Sequence, residues 1–496
     1  MRSLIVWGTT SGAGKSWLAT ALCRVAARRG IRVAPFKAQN MSNNARVVVR
    51  PDGGLGEIGS AQYFQALAAG VVPHTDMNPV LLKPERDTAS QVVLHGVADA
   101  ALSRLPWRAR SARLAVSAQE GFARLAAQHD LLVVEGAGSP AEINLAPQDY
   151  VNLGVARWAA AAGPTAALLV SDIDRGGSFA HCYGTWSLLP ADLRPLLQGF
   201  VLNRFRGDAA LLAPGPAQLE QLTGVPLAGV IPMQRDHGLP EEDGLPDEDP
   251  PDRVPGVPGA LRWRVAVLAP PHISNLDEFL PLARVPGLRL IWARRPAQLE
   301  GMDWIVLPGS KQVSGDLAWL RANRLDEGIH QHAARGGAVL GVCGGLQMLG
   351  LSLDDPQGHD GQVIQDLPGL GLLPLHTQFG PGKQLLDSAV SFGAPQGAWA
   401  PLAGVVARAY QIRCGQTTAL GGLGVLQDAR GQTIGWQRGP VLGVYAHGLF
   451  ESPAVLQALF GATVPTLQDA FETLADLAES SLDRDLLARW LGRPAA

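Results

Sequence analysis

The feature that most constrains this chain is a recurring order: a short, wholly apolar run, a glycine-rich turn, then an Ala/Leu-rich amphipathic stretch. Leu4-Ile5-Val6-Trp7 runs into Gly8 and on to the stretch 17–28, and the runs at 131–134, 167–170 and 199–202 repeat the design. Runs apolar on both sides of the pleat are strands buried on two faces, which a parallel sheet covered by helices provides. Between residues 236 and 260 the order breaks. Glu241-Glu242-Asp243, Asp247-Glu248-Asp249 and many prolines and glycines offer no face to pack. Strand-like runs resume at 264–268, 305–307, 338–342 and 441–445, and helical periodicity returns over 467–491. The expected class is α/β with two parallel-sheet domains, 1–235 and 263–460. An acidic linker over 236–262 joins them and a helical segment over 461–496 follows.

Composition bounds what such a chain can bind. Its 496 residues suit two or three domains, and with 47% apolar and 17% charged residues it is globular. The 41 basic and 44 acidic side chains leave a formal charge of -3, so no global cationic field draws in a nucleic acid or an anionic membrane. An anionic ligand must be gripped locally. Cys23, Cys182, Cys343 and Cys414 are far apart, with neither a disulfide framework nor a zinc-ligand spacing. The first apolar run is too short for a signal-peptide core, and the longest uncharged one, 158–170, is broken by Gly163-Pro164 short of a membrane span. These features read as a soluble cytoplasmic protein; they leave the oligomeric state open.

Gly8-Thr9-Thr10-Ser11-Gly12-Ala13-Gly14-Lys15-Ser16 lies between an expected strand and an expected helix, the context a P-loop requires. Its backbone N–H groups would wrap phosphates, Lys15 would neutralise the outer ones and the Ser16 hydroxyl would coordinate magnesium. The usual first glycine falls one residue early, at Gly8, with Thr9 in its place. This longer loop resembles that of the dethiobiotin synthetase group, which uses ATP to activate carboxylates. Glu135 ends the strand before Gly136-Ala137-Gly138, where it could reach a nucleotide-bound magnesium. Lys37 and Asn203 also end strands, and are read as a phosphate or acyl-phosphate contact and an adenine contact.

In the second half, Gly341-Val342-Cys343-Gly344-Gly345 sits between an apolar run and a helix, the cysteine form of a nucleophile elbow. Flanking glycines relieve crowding, and the helix start favours thiolate and offers the Gly344 N–H to an oxyanion. A thiolate that attacks an amide needs an acid for the leaving nitrogen. Among eleven histidines, His447 follows a strand-like run directly, with His376 as runner-up. The turn Leu307-Pro308-Gly309-Ser310-Lys311 could expose the Gly309 N–H as a second oxyanion donor.

An ATP site and an amide-cleaving cysteine in one chain point to ammonia freed from glutamine and fixed on an activated carboxylate. The second half resembles class I glutamine amidotransferases, and the whole chain resembles their corrinoid-amidating branch in cobalamin biosynthesis. The resemblance rests on the segments 35–41, 56–62, 76–84, 135–144, 172–178 and 307–311 and on Tyr445-Ala446-His447. It implies four ATP- and glutamine-dependent amidations, on the b, d, e and g carboxylates of adenosylcobyrinic acid a,c-diamide, with Mg2+ as cofactor. It further implies Cys343 as glutaminase nucleophile, His447 as its catalytic histidine and Glu57 as a second magnesium ligand. Ordinary class I members carry a glutamate two residues after the histidine, where this chain has Leu449 and then Glu451, so the sequence names no acid to orient the imidazole. Gln312-Val313 and Tyr410-Gln411-Ile412-Arg413 also depart from the family pattern and receive no role. Two rivals stand beside this reading: the sister enzymes that amidate the a and c carboxylates, and a partitioning-type ATPase switch, in which the Cys343 elbow would be superfluous.

Overall fold

The computed structural model describes residues 1–86, 89–234, 238–239 and 261–492. The expected linker over 236–262 lies outside the described residues, apart from 238–239 and 261–262. The chain divides into two compact units. The first comprises Met1–Ser42, Val48–Asp243 and Leu467–Ala496, the second Asn43–Val47 and Gly244–Thr466.

The first unit is built on a parallel six-stranded sheet in the order Leu227–Pro232, Leu197–Phe205, Thr165–Asp172, Arg2–Gly8, Leu131–Glu135, Val33–Phe36. Strand side chains alternate between two cores, as the period of two demands. Leu4, Val6, Leu131, Val133, Leu168 and Val170 enter one, with the helix Lys15–Arg28; Ile5, Trp7, Leu132, Val134 and Leu169 enter the other, with the helix Trp107–Gln128. Both faces are buried, which is why these strands read as unbroken apolar runs.

The helices Leu467–Ser481 and Arg484–Leu491, at the far end of the sequence, complete the first of those cores with Phe471, Leu474 and Trp490. Arg28 and Arg29 pair with Asp476 and Glu479 at 2.7 and 2.9 Å along the rim. Burying a Phe or Leu contributes about 1.5–3 kcal/mol, against about 0.2–1 kcal/mol for an exposed ion pair. Apolar packing therefore holds the helices, with the ion pairs a smaller addition.

In the second unit five parallel strands run in the order Leu288–Ala293, Trp263–Leu268, Trp304–Leu307, Ala338–Val342, Val441–Val444. Antiparallel strands extend this sheet, chief among them Leu375–Phe392 paired with Val406–Ala419. Much of that hairpin is only half buried, so it carries no long apolar run. Among the described residues no helix is long and apolar enough to cross a membrane.

Candidate active sites

In the first unit the loop after the strand Arg2–Gly8 turns through Gly12 and Gly14, at φ 70° and 100°, into the helix that begins at Lys15. The Lys15 side chain folds back over the strand end: its Nζ donates to the Thr10 and Gly138 carbonyls at 3.0 and 3.1 Å. A Cβ on Gly8 would stand 2.9 Å from that Nζ, so the early glycine makes room for the lysine. Ser16 Oγ donates to Glu135 Oε1 at 2.7 Å, Lys37 Nζ donates to the same oxygen at 2.9 Å, and Gln65 Nε2 donates to Glu135 Oε2 at 2.5 Å. Gln62 Nε2 donates to Glu135 Oε2 as well, at 3.5 Å, so the fully buried Glu135 has its charge met by one cation and three polar donors. Asn203 Nδ2 donates to the Ala13 carbonyl at 3.0 Å and so braces the loop from the neighbouring strand end. Thr9 Oγ1 donates to Ser171 Oγ at 3.2 Å. Lys15, Ser16, Lys37, Glu135 and Asn203 thus gather at the loop, at the carboxyl ends of parallel strands where ligands of open α/β sheets bind. Glu57 is buried, and its carboxylate accepts from the buried Lys83 Nζ.

In the second unit Val342 and Val444 are register partners on adjacent parallel strands, which brings Cys343 and Tyr445-Ala446-His447 to one sheet end. Cys343 sits at φ 51°, ψ -104°, a sparsely populated conformation for a residue with a Cβ and a mark of an elbow under strain. Its neighbours permit this: a Cβ on Gly345 would fall 2.0 Å from the Leu307 carbonyl oxygen, and one on Gly344 would fall 2.7 Å from Ser310 N. Gly344 opens the helix Gly344–Leu349. Gly309 pairs with Ser274 in a two-residue ladder, and a Cβ there would stand 3.0 Å from His447 Cε1. The elbow, the Gly309 turn and the imidazole therefore share one pocket of space. His376 is elsewhere, hydrogen-bonded to Ser352 at 2.8 Å on the antiparallel extension.

The acid that sequence spacing could not name is Glu278, in the 3-10 helix Leu276–Arg284. His447 Nδ1 and Glu278 Oε1 are 2.7 Å apart, and the Gly448 N–H donates to Glu278 Oε2 at 2.8 Å, so both carboxylate oxygens are fixed. Glu278 and His447 are each 1% exposed. Burial alone would favour a neutral ring, but the Glu278 carboxylate and the hydrogen-bonded Cys343 side chain outweigh it and raise the His447 pKa to about 10. At neutral pH the ring is an imidazolium ready to protonate a leaving nitrogen. Nothing local marked Glu278, because Asp277-Glu278 at a helix start is an ordinary pattern. Two residues from the segment without a sequence-assigned role also frame the site: Tyr410 stacks on His447 with centroids 5.2 Å apart, and the Arg413 guanidinium lies 3.9 Å over the Tyr445 ring.

Two known domain families match successive stretches of the chain. Residues 4–246 match the CobQ/CobB/MinD/ParA nucleotide binding domain, and residues 264–455 match the CobB/CobQ-like glutamine amidotransferase domain. The chain is 59% identical to a cobyric acid synthase of Leptothrix cholodnii over 98% of this chain and 96% of that one. It is 59% identical to one of Paracidovorax citrulli, over 96% of each chain. With one of Methylibium petroleiphilum it shares 58% identity over 99% of this chain and 97% of that one. Similarity of this extent, with both domain models matched in order, places the chain in the cobyric acid synthase family.

Proposed function

We propose that the protein amidates the b, d, e and g carboxylates of adenosylcobyrinic acid a,c-diamide, using ATP and L-glutamine. The observation that carries the reading is the Cys343–His447–Glu278 arrangement in the same chain as the Lys15 loop with its part-buried Ser16–Glu135 hydrogen bond. Cys343 Sγ attacks the amide carbon of glutamine, with the Gly344 and Gly309 N–H groups as oxyanion donors. His447 gives its proton to the departing ammonia, leaving a thioester that water cleaves to glutamate. In the other unit the γ-phosphoryl group of ATP passes to a corrinoid carboxylate, and ammonia displaces phosphate from the acyl phosphate to give the amide. Thr9, Thr10, Ser11, Gly12, Ala13 and Gly14 wrap the phosphates through their backbone, Lys15 and Lys37 neutralise charge, and Asn203 holds the loop in place.

Two hard oxygen donors at the loop, Ser16 Oγ and the Glu135 carboxylate 2.7 Å apart, suit Mg2+ carried with the nucleotide. Bound there, the ion would neutralise charge on the transferring phosphate. Glu57, whose Oε2 accepts from Lys83, would be a second carboxylate ligand. Among the described residues no group of three or more His, Cys, Asp and Glu is placed to hold an ion by itself.

Incubation of the full chain with ATP, glutamine and the a,c-diamide should yield, by mass spectrometry, a product with four OH groups exchanged for NH2. A substrate amidated only when its a and c carboxylates are free would favour the sister reaction instead. The Glu278–His447 pair gives a second expectation, in the pH profile of glutamine hydrolysis. His447 is protonated below about 10, so hydrolysis that needs the imidazolium fails as pH rises through that value. Glu278→Gln removes the stabilising charge and should bring the alkaline limb down by about 1–3 pH units. An unmoved limb would deny Glu278 this role.

A further inference from the structure

The segment Asn43–Val47 belongs to the second compact unit, although the chain on either side of it, Met1–Ser42 and Val48–Asp243, folds into the first. Five residues from the nucleotide-binding half of the sequence are thus built into the glutamine-hydrolysing unit. Their attachments converge on the element that carries Glu278. The Ala45 N–H donates to Asn275 Oδ1 at 2.9 Å, and the Leu276 N–H donates to Asn44 Oδ1 at 3.1 Å. This reciprocal pair clamps the entry to the 3-10 helix, where Asn275 turns at φ 55°. Arg46 is 2% exposed; its guanidinium donates to Asp277 Oδ2 and, at 2.5 and 3.0 Å, to both carboxylate oxygens of Glu451. The same guanidinium lies 4.9 Å over the Tyr410 ring, whose stack on His447 is reinforced by backbone hydrogen bonds of 2.9 and 3.3 Å between the two residues. Two routes therefore lead from the segment to the imidazole: one along 275–277 to Glu278, the other through Tyr410 to the ring face.

We infer that Asn43–Val47 is a strap by which the nucleotide-binding half of the chain completes the glutaminase site, with Arg46 as a positioning residue for His447. The inference rests on the roles of Cys343 and His447 proposed above. Arg46 is assigned no contact with glutamine; it acts through the groups that hold the imidazole. A planar guanidinium fork that pairs bidentately and stacks at once is not reproduced by lysine. Displacing a catalytic group by about 1 Å can cost about 10²-fold in rate.

The test uses the full chain with Arg46→Ala and Arg46→Lys. It measures glutamine hydrolysis, amidation supported by ammonium, and labelling of Cys343 by a diazoketone analogue of glutamine. Cys23 and Cys182 are buried thiols whose pKa values burial pushes up, and the labelled peptide is identified by mass. Arg46→Ala should lower kcat for glutamine hydrolysis about 10²-fold with little change in KM. Labelling should slow in parallel, while ammonium-supported amidation keeps the parental rate. Arg46→Lys should recover part of the lost kcat and, should the alanine variant fail to fold, decides the matter alone through the same kcat-against-KM split. An unchanged kcat, a loss confined to KM, or an equal loss of the ammonium-supported rate would overturn the inference. A parent chain that hydrolyses glutamine but is not labelled at Cys343 would instead overturn the reading of the site on which it rests.

Discussion

Replacing Cys343 by serine is expected to abolish glutamine-dependent amidation, by at least about 10³-fold, while concentrated ammonium still supports it. The elbow is shaped around this position: φ 51° at Cys343, glycines packed against Ser310 and Leu307, and an imidazolium held by Glu278. Serine fits the same space, so the fold is retained. Its hydroxyl is a weaker nucleophile than sulfur, and the neighbouring imidazolium cannot take up its proton. Amidation followed by mass spectrometry with each nitrogen source, beside glutamate release, separates the outcomes. Glutamate release that persists in Cys343→Ala would remove the nucleophile, and failure with ammonium would show that the substitution damages more than the glutaminase.

The second large effect is expected from Lys15→Ala, which should lower amidation about 10²–10³-fold whether the nitrogen comes from glutamine or ammonium. Lys15 Nζ is held over the loop by the Thr10 and Gly138 carbonyls, poised to exchange them for phosphate oxygens. Removing it leaves the charge that develops on the transferring phosphate without the cation of this loop. Nitrogen source cannot compensate, because both routes meet at the activated carboxylate. Measuring phosphate release with amide formation checks this: a variant that still amidates with ammonium at the parental rate would exclude Lys15 from phosphoryl transfer.

Elements whose signal is local were legible in the sequence. The parallel strands announced themselves as short apolar runs because both faces of each sheet are covered, and the loop at Gly8–Ser16 and the Cys343 elbow because glycine is demanded where backbones or a lysine stem crowd. His447 stands just after a strand, a position visible in the sequence. The hairpin 375–392 with 406–419 was not visible, since a half-buried, two-sided strand carries little apolar contrast. Nor was it visible that the helices over 467–491 pack with the first unit or that Asn43–Val47 packs with the second.

Sequence by itself determined the chemical vocabulary: a phosphate loop ending in Lys15-Ser16, a thiol on an elbow, a histidine after a strand, and the acids, arginines and tyrosines available to serve them. Which of those acids orients His447 was decided by the tertiary structure, because Glu278 lies 169 residues before it and Glu451 only four after. Spacing favours the near residue. Coulomb and hydrogen-bond energies depend on distance and direction in space, and the fold sets Glu278 2.7 Å from the ring while it spends Glu451 on Arg46, 405 residues away.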